Sequence, residues 1–217
     1  SLVPPRPEVA AAAVGSVLPF AGGMNRATGE VSGALGLFDL ARGGERTSLK
    51  LAAPRTFDAG QNVAVSCRGK IFVAGGAYAN GTKSDLVDVF DQVTRKFEDP
   101  LTLSVGRSFL AVAALEKEGL IFFGGGELAE DEKHPENSAD ADVVDIWSVD
   151  KHAWLPPAKL SIGRKKLTAT SLGDDLVFFA GGFRSNMAGL GYRREVDIFN
   201  VTSGVWSSAV LAQGRMR

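Results

Sequence analysis

Five arginines close the same short pattern of leucine, two residues, proline or glycine, then arginine. They are Arg6 (LVPPR), Arg55 (LAAPR), Arg107 (LSVGR), Arg164 (LSIGR) and Arg215 (LAQGR). A guanidinium is a planar fork of donors that fits a carboxylate. Arginines recurring at one structural position can therefore converge on an acidic ligand. Ser108 follows Arg107, and Lys165 and Lys166 follow Arg164, adding a hydroxyl and two ammonium groups. The candidate partner-binding set is Arg55, Arg107, Ser108, Arg164, Lys165 and Arg215. The competing role is structural: each arginine caps or salt-bridges its own repeat through Asp88, Asp145 or Asp197.

A second charged stretch, residues 127–142, holds seven acids: Glu127, Glu130, Asp131, Glu132, Glu136, Asp140 and Asp142. Glu127, Asp131 and His134 could be arranged as a loose metal site. A solvated acidic loop without a metal is the expected reading. Elsewhere the sequence offers no nucleophile–base pair, no phosphate-cradling glycine loop and no Cys/His metal spacing. No catalytic residue and no cofactor are expected. Asp174-Asp175 reads as a hairpin tip.

Composition bounds the partners. The chain has 217 residues, 23% of them charged, and a net charge of −1. Such a balance gives no global field toward nucleic acid or an anionic membrane. No apolar run reaches the roughly 18 residues of a membrane helix. The uncharged segment 9–24 could pass for a signal peptide, but it aligns with later segments of the chain and is read as structure. The single cysteine, Cys67, excludes an intrachain disulfide. That suits a reducing compartment, and a cytoplasmic location is the expectation. Asn80-Gly81-Thr82 and Asn200-Val201-Thr202 fit the N-glycosylation pattern, which occurs often by chance.

The elements that position the arginines repeat with them. IFVAGG, residues 71–76, is a short apolar run ending in two glycines. It recurs as VLPFAGG, LIFFGGG and LVFFAGG, with second glycines at Gly23, Gly76, Gly126 and Gly182, spaced by 53, 50 and 56 residues. After each pair comes a strand-like segment carrying Phe38, Phe90, Trp147 or Phe199. In the last three repeats a second aromatic follows seven residues later, at Phe97, Trp154 and Trp206. The first repeat is degenerate: Glu45 stands where that aromatic should be, and Gly36 replaces the aspartate found at Asp88, Asp145 and Asp197. Its outer edge is expected to be poorly ordered. Continuously apolar runs indicate strands covered on both faces. The small-residue segments AVSC, LAVAA, TATS and VAAAA suit a crowded inner strand.

The paired glycines, the aromatics seven apart and the Pro/Gly-Arg that opens the next unit resemble the kelch repeat family, from Arg6 to Arg215. The resemblance implies an all-β, kelch-type β-propeller with four blades of four antiparallel strands, as a single array over 1–217. The repeats run approximately 7–55, 56–107, 108–164 and 165–215. Propellers usually have about four to eight blades, and kelch propellers usually six or seven. The array is therefore expected to be part of a larger propeller, with open blade faces that promote self-association. With strands named a to d along each unit, the d-to-a and b-to-c connections share one end. The b-to-c interval varies most: 15, 14, 21 and 17 residues from second glycine to first aromatic. Variable loops on one face mark it as the binding face.

Adaptors that pair a BTB domain with a kelch propeller use arginines at this mouth for acidic peptides, and Arg107-Ser108 most resembles that arrangement. The expected function is a non-enzymatic interaction module for a protein or peptide partner. The alternative is a fragment of a secreted kelch-bearing enzyme or carbohydrate-binding protein of the galactose-oxidase-like type. Galactose oxidase needs a Tyr–Cys crosslink with further Tyr and His ligands; here only Tyr78, Tyr192, Cys67, His134 and His152 are available. Plant specifier proteins, also kelch propellers, hold iron through Glu, Asp and His. The spacing before His134 is one residue shorter than that motif.

Overall fold

The computed structural model describes residues 6–43, 45–57, 63–129, 140–185 and 191–215, with residues 45–48 described by their backbone alone. Each glycine-terminated run is the second strand of a four-stranded antiparallel sheet. In the first sheet β1 (Ala10–Ala11), β2 (Val17–Ala21), β3 (Ala34–Asp39) and β4 (Glu45–Lys50) are neighbours in that order. The degenerate first repeat thus still forms its outer strand, paired from Ala34–Lys50 to Asp39–Glu45. The second sheet contains β5 (Ala64–Cys67), β6 (Lys70–Ala74), β7 (Leu86–Asp91) and an outer strand split into β8 (Lys96–Phe97) and β9 (Leu101–Thr102). Pro100, which has no N–H to give the ladder, sits in the gap. The third sheet is β10 (Ala111–Leu115), β11 (Leu120–Gly124), β12 (Val143–Ser148) and β13 (Ala153–Lys159). The fourth is β14 (Thr168–Leu172), β15 (Leu176–Ala180), β16 (Glu195–Asn200) and β17 (Val205–Val210). The innermost strands stand side by side in the order β1, β5, β10, β14. This is the blade arrangement of a β-propeller.

Period-two alternation divides each blade between two neighbours. On the second strand of blade 3, Ile121 and Phe123 face back into a core shared with blade 2. Phe122 faces forward into a core shared with Val177 and Phe179 of blade 4. That is why the run is apolar at every position. Small residues Ala111, Ala113 and Ala169 on the inner strands let the blades converge. The aromatics seven apart meet across the outer hairpin, where each pair is in register. Ring centroids are 5.9 Å apart for Phe90–Phe97, 5.1 Å for Trp147–Trp154 and 5.0 Å for Phe199–Trp206. Such contacts add about 0.5–1.5 kcal/mol to the burial of the rings.

The two outermost faces of the array lack this cover. Leu115 is 1% exposed, whereas Leu172, its counterpart in blade 4, is 62% exposed. Phe178 is half-buried where Phe72 and Phe122 are fully buried. On blade 1, Leu18 and Phe20 are half-buried where Ile71, Val73, Ile121 and Phe123 are fully buried.

Both members of each glycine pair have positive φ, for example +65° at Gly125 and +112° at Gly126. A Cβ at Gly125 would lie 2.6 Å from the carbonyl oxygen of Arg164, and one at Gly126 2.7 Å from that of Ser108. Left-handed backbone and close approach both require glycine here. Gly126→Ala is expected to cost roughly 2–4 kcal/mol in urea unfolding, combining strained backbone with displaced neighbours. Gly81, which has open space around it, is the control, and Gly81→Ala should lose roughly 1 kcal/mol through its φ of +84° alone.

Candidate functional site

The glycine pair positions the arginine that follows it. The second glycine of each pair donates its N–H to an arginine carbonyl: Gly23 to Arg55, Gly76 to Arg107, Gly126 to Arg164 and Gly182 to Arg215. From that anchor three side chains run into the next blade. Arg55 Nη1 donates to Ser84 Oγ at 3.0 Å and to the Leu86 carbonyl at 2.9 Å, and Nη2 pairs with Asp88. Arg107 Nη2 meets Asp145 at 2.5 Å, and Arg164 Nη1 meets Asp197 at 2.8 Å. Each aspartate also accepts a backbone N–H from three residues before the arginine, namely Ala52, Ser104 and Ser161. Burial pulls the Arg55 and Arg107 guanidinium groups down to about 10, which leaves both charged at neutral pH.

This geometry corrects the expectation that the arginines line a mouth. Arg55, Arg107 and Arg164 have no exposed surface, and Ser108 is 3% exposed. They are seams between blades, closed to a partner. Arg215 is exposed at the end of the described array.

What does reach the surface in part follows two of the arginines: Phe109 after Arg107, and Lys165 and Lys166 after Arg164, are half-buried. Phe109 and Lys166, each two positions beyond its arginine, take left-handed backbone at φ +55° and +54°, as does Glu8 at +61°. A bulky residue in this region is an outlier that surrounding structure must hold. Here the Lys166 N–H donates to the Phe109 carbonyl at 3.0 Å, linking adjacent blades. The half-buried Phe109 ring has three ammonium groups near it: Lys166 at 4.7 Å, Lys165 at 5.8 Å and Lys83 at 6.0 Å from its centroid. Sequence reasoning found Lys165 but missed Phe109 and Lys83. The left-handed turn that brings them together has no glycine to announce it.

Two carboxylates from the b-to-c connections face these lysines. Glu127 pairs with Lys83 at 2.7 Å and with Lys165. Burial opposes its ionisation, but the hydrogen bonds from Lys165 and Lys83 outweigh that and hold it below the usual carboxylate range. Asp140 accepts from the Ser185 N–H at 2.5 Å and from Ser185 Oγ at 3.2 Å, and burial pushes it up. Beyond them Arg184 and Arg194 are exposed on the same face. The described part of this face is therefore net basic, with an aromatic centre.

Asp142 meets Lys159 at 3.2 Å. Glu130, Asp131, Glu132, His134 and Glu136 lie outside the described residues. Among the described residues no three His, Cys, Asp or Glu are grouped as metal ligands. Cys67 is fully buried on an inner strand, and burial pushes its thiol up to about 12, so it is inert at neutral pH. Tyr78 bonds Ser84, Tyr192 packs on Phe183, and His152 packs on Trp147 at the opposite end of its blade. Asp174 and Asp175 lie in the β14–β15 hairpin turn. No helix among the described residues is long and apolar enough to cross a membrane.

No family model matches the chain, and no curated protein matches it. Among solved structures the chain is similar to that of YjhT, a kelch-type propeller, with a TM-score of 0.69. The likeness covers 98% of this chain and 72% of that one at 18% identity, and at that identity it shows the fold alone.

The seam gives a direct stability test. Asp145→Ala leaves Arg107 buried and unpaired and is expected to cost about 3–5 kcal/mol. Adding Arg107→Met should restore much of that loss, measured as the interaction term of a double-mutant cycle in urea.

Proposed function

We propose that the chain is a kelch-type array that works as a non-enzymatic interaction module, binding an acidic segment of a protein or peptide partner on its loop face. The carrying observation is the ring of Lys83, Lys165 and Lys166 around Phe109. Ammonium groups attract carboxylates from a distance and set register on contact, while the phenyl ring supplies apolar area at its centre. The partner-contacting role passes from the seam arginines to Lys165, with Lys83, Phe109 and Lys166 beside it. The four strands beneath each loop make the surface rigid, which lowers the entropic cost of binding.

A labelled peptide alternating Glu and Gly serves as probe in fluorescence anisotropy, with its Gln counterpart as control. The acidic peptide should bind more tightly, weaken as salt rises, and lose roughly tenfold in affinity in the Lys165→Glu, Lys166→Glu double variant. Equal binding of both peptides would sink the proposal.

Self-association is the companion proposal. The forward face of blade 4 and the rear face of blade 1 carry the residue positions that pack against each other at every internal seam. One copy's Phe178 and Leu172 can therefore meet a second copy's Phe20 and Leu18. Such a head-to-tail contact is heterologous and extends or closes with further copies. Sedimentation should show mass rising with concentration, and Phe178→Lys should suppress it. A monomer at every concentration would refute this contact.

A further inference from the structure

The residue that follows each glycine pair holds one place in the repeat. It is Met24, Ala77, Glu127 and Phe183 in blades 1 to 4. In blades 2, 3 and 4 its backbone is bridged on both sides: Ala77 to Thr56 and Lys83, Glu127 to Ser108 and Asp140, Phe183 to Lys165 and Tyr192. Methionine, alanine and phenylalanine all serve there, so the fold asks for no carboxylate at this position. Blade 3 has one.

Glu127 reaches out of its own blade on both sides. Oε2 pairs with Lys83 of blade 2 at 2.7 Å, and Oε1 pairs with Lys165 of blade 4. Ser108 Oγ of its own blade donates to Oε2 at 3.4 Å. Asp140, the other carboxylate beside it, is engaged by Ser185. The side chains of Lys83, Lys165 and Glu127 are 16%, 15% and 20% exposed, so the carboxylate is the most open of the three. Lys166, 4.7 Å from the Phe109 ring centroid, meets no carboxylate among the described residues.

We propose that Glu127 is an internal competitor for the acidic ligand: its carboxylate holds the Lys83–Lys165 position that a partner's carboxylate takes on binding. This rests on the acidic-ligand reading of the loop face. Exchange of one carboxylate for another leaves the two lysines with the same pairing, so that position alone adds little affinity. A tethered carboxylate also competes at high effective concentration. A single free carboxylate is therefore turned away. A segment with several acids enters because it also meets Lys166 and the Phe109 ring. Glu127 thereby selects runs of acids over isolated ones.

The probe is the labelled peptide alternating Glu and Gly, with its Gln counterpart as control. Glu127→Gln and Glu127→Ala, the latter copying Ala77 of blade 2, should bind the acidic peptide at least about fivefold more tightly than the wild type. Asp142→Asn makes the same change in net charge at a carboxylate that meets Lys159, and should gain less than about twofold. Lys83→Gln should cost little affinity in the wild type, where Glu127 occupies that lysine, and at least about threefold in the Glu127→Gln background. Sodium acetate, at constant ionic strength, should compete with the peptide better in Glu127→Gln than in the wild type. Both Glu127 variants should melt within about 4 °C of the wild type, because the ion pairs are partly solvated. Lower stability with unchanged affinity marks a structural clasp and would overturn the inference, as would an equal gain in Asp142→Asn. If neither the wild type nor Glu127→Gln prefers the acidic peptide to its Gln counterpart, the acidic-ligand reading itself fails, and this inference with it.

Discussion

One arginine is shared by two blades at each seam, and the fold depends on it. Its carbonyl belongs to the blade before, held by the N–H of a glycine that no other residue could replace. Its guanidinium belongs to the blade after, held by a buried aspartate. A buried ion pair gives little net stability once desolvation is counted. Its worth here lies in register, since a carboxylate that must meet one guanidinium fixes how far one blade slides against the next. The hydrophobic residues between blades supply attraction without that direction.

The seam also explains where binding chemistry can and cannot sit. The most strongly charged recurring side chains are withdrawn from solvent by the architecture, so their number says nothing about the surface. Near them only some residues are partly open: Phe109, Lys165 and Lys166 are half-buried, while Ser108 and Phe57 are closed off. Because the arginine backbone is pinned on both sides, Phe109 and Lys166 are held in left-handed conformations that a free loop would leave. The strain is supported by the seam and delivers three lysines to one ring.

Much of this was legible in the amino-acid order. The paired glycines, the aromatics seven apart and the runs apolar at every position announced four-stranded blades, because each is a demand of backbone geometry or two-sided burial. The pairing of Arg107 with Asp145 was legible too, as the structural alternative to a binding role. Its burial was not, because spacing gives the position of a side chain along the chain but not the direction it takes from a turn. Phe109 and Lys83 are 26 residues apart, in different repeats and different motifs, and only the closing of one blade on another joins them. Gly36 was legible as an irregularity.

The glycine pair has one further effect. Just beyond the pair each connection is closed by one bridge, Met24–Val31, Ala77–Lys83, Glu127–Asp140 or Phe183–Tyr192, and the residues past that bridge are free to vary in number. Closing a flexible loop of twice the length costs only about 0.6 kcal/mol more. Lengths as different as those after Gly76 and Gly126 are accommodated over the same scaffold. The chain can thus diversify what it recognises by changing these segments alone, leaving its skeleton untouched.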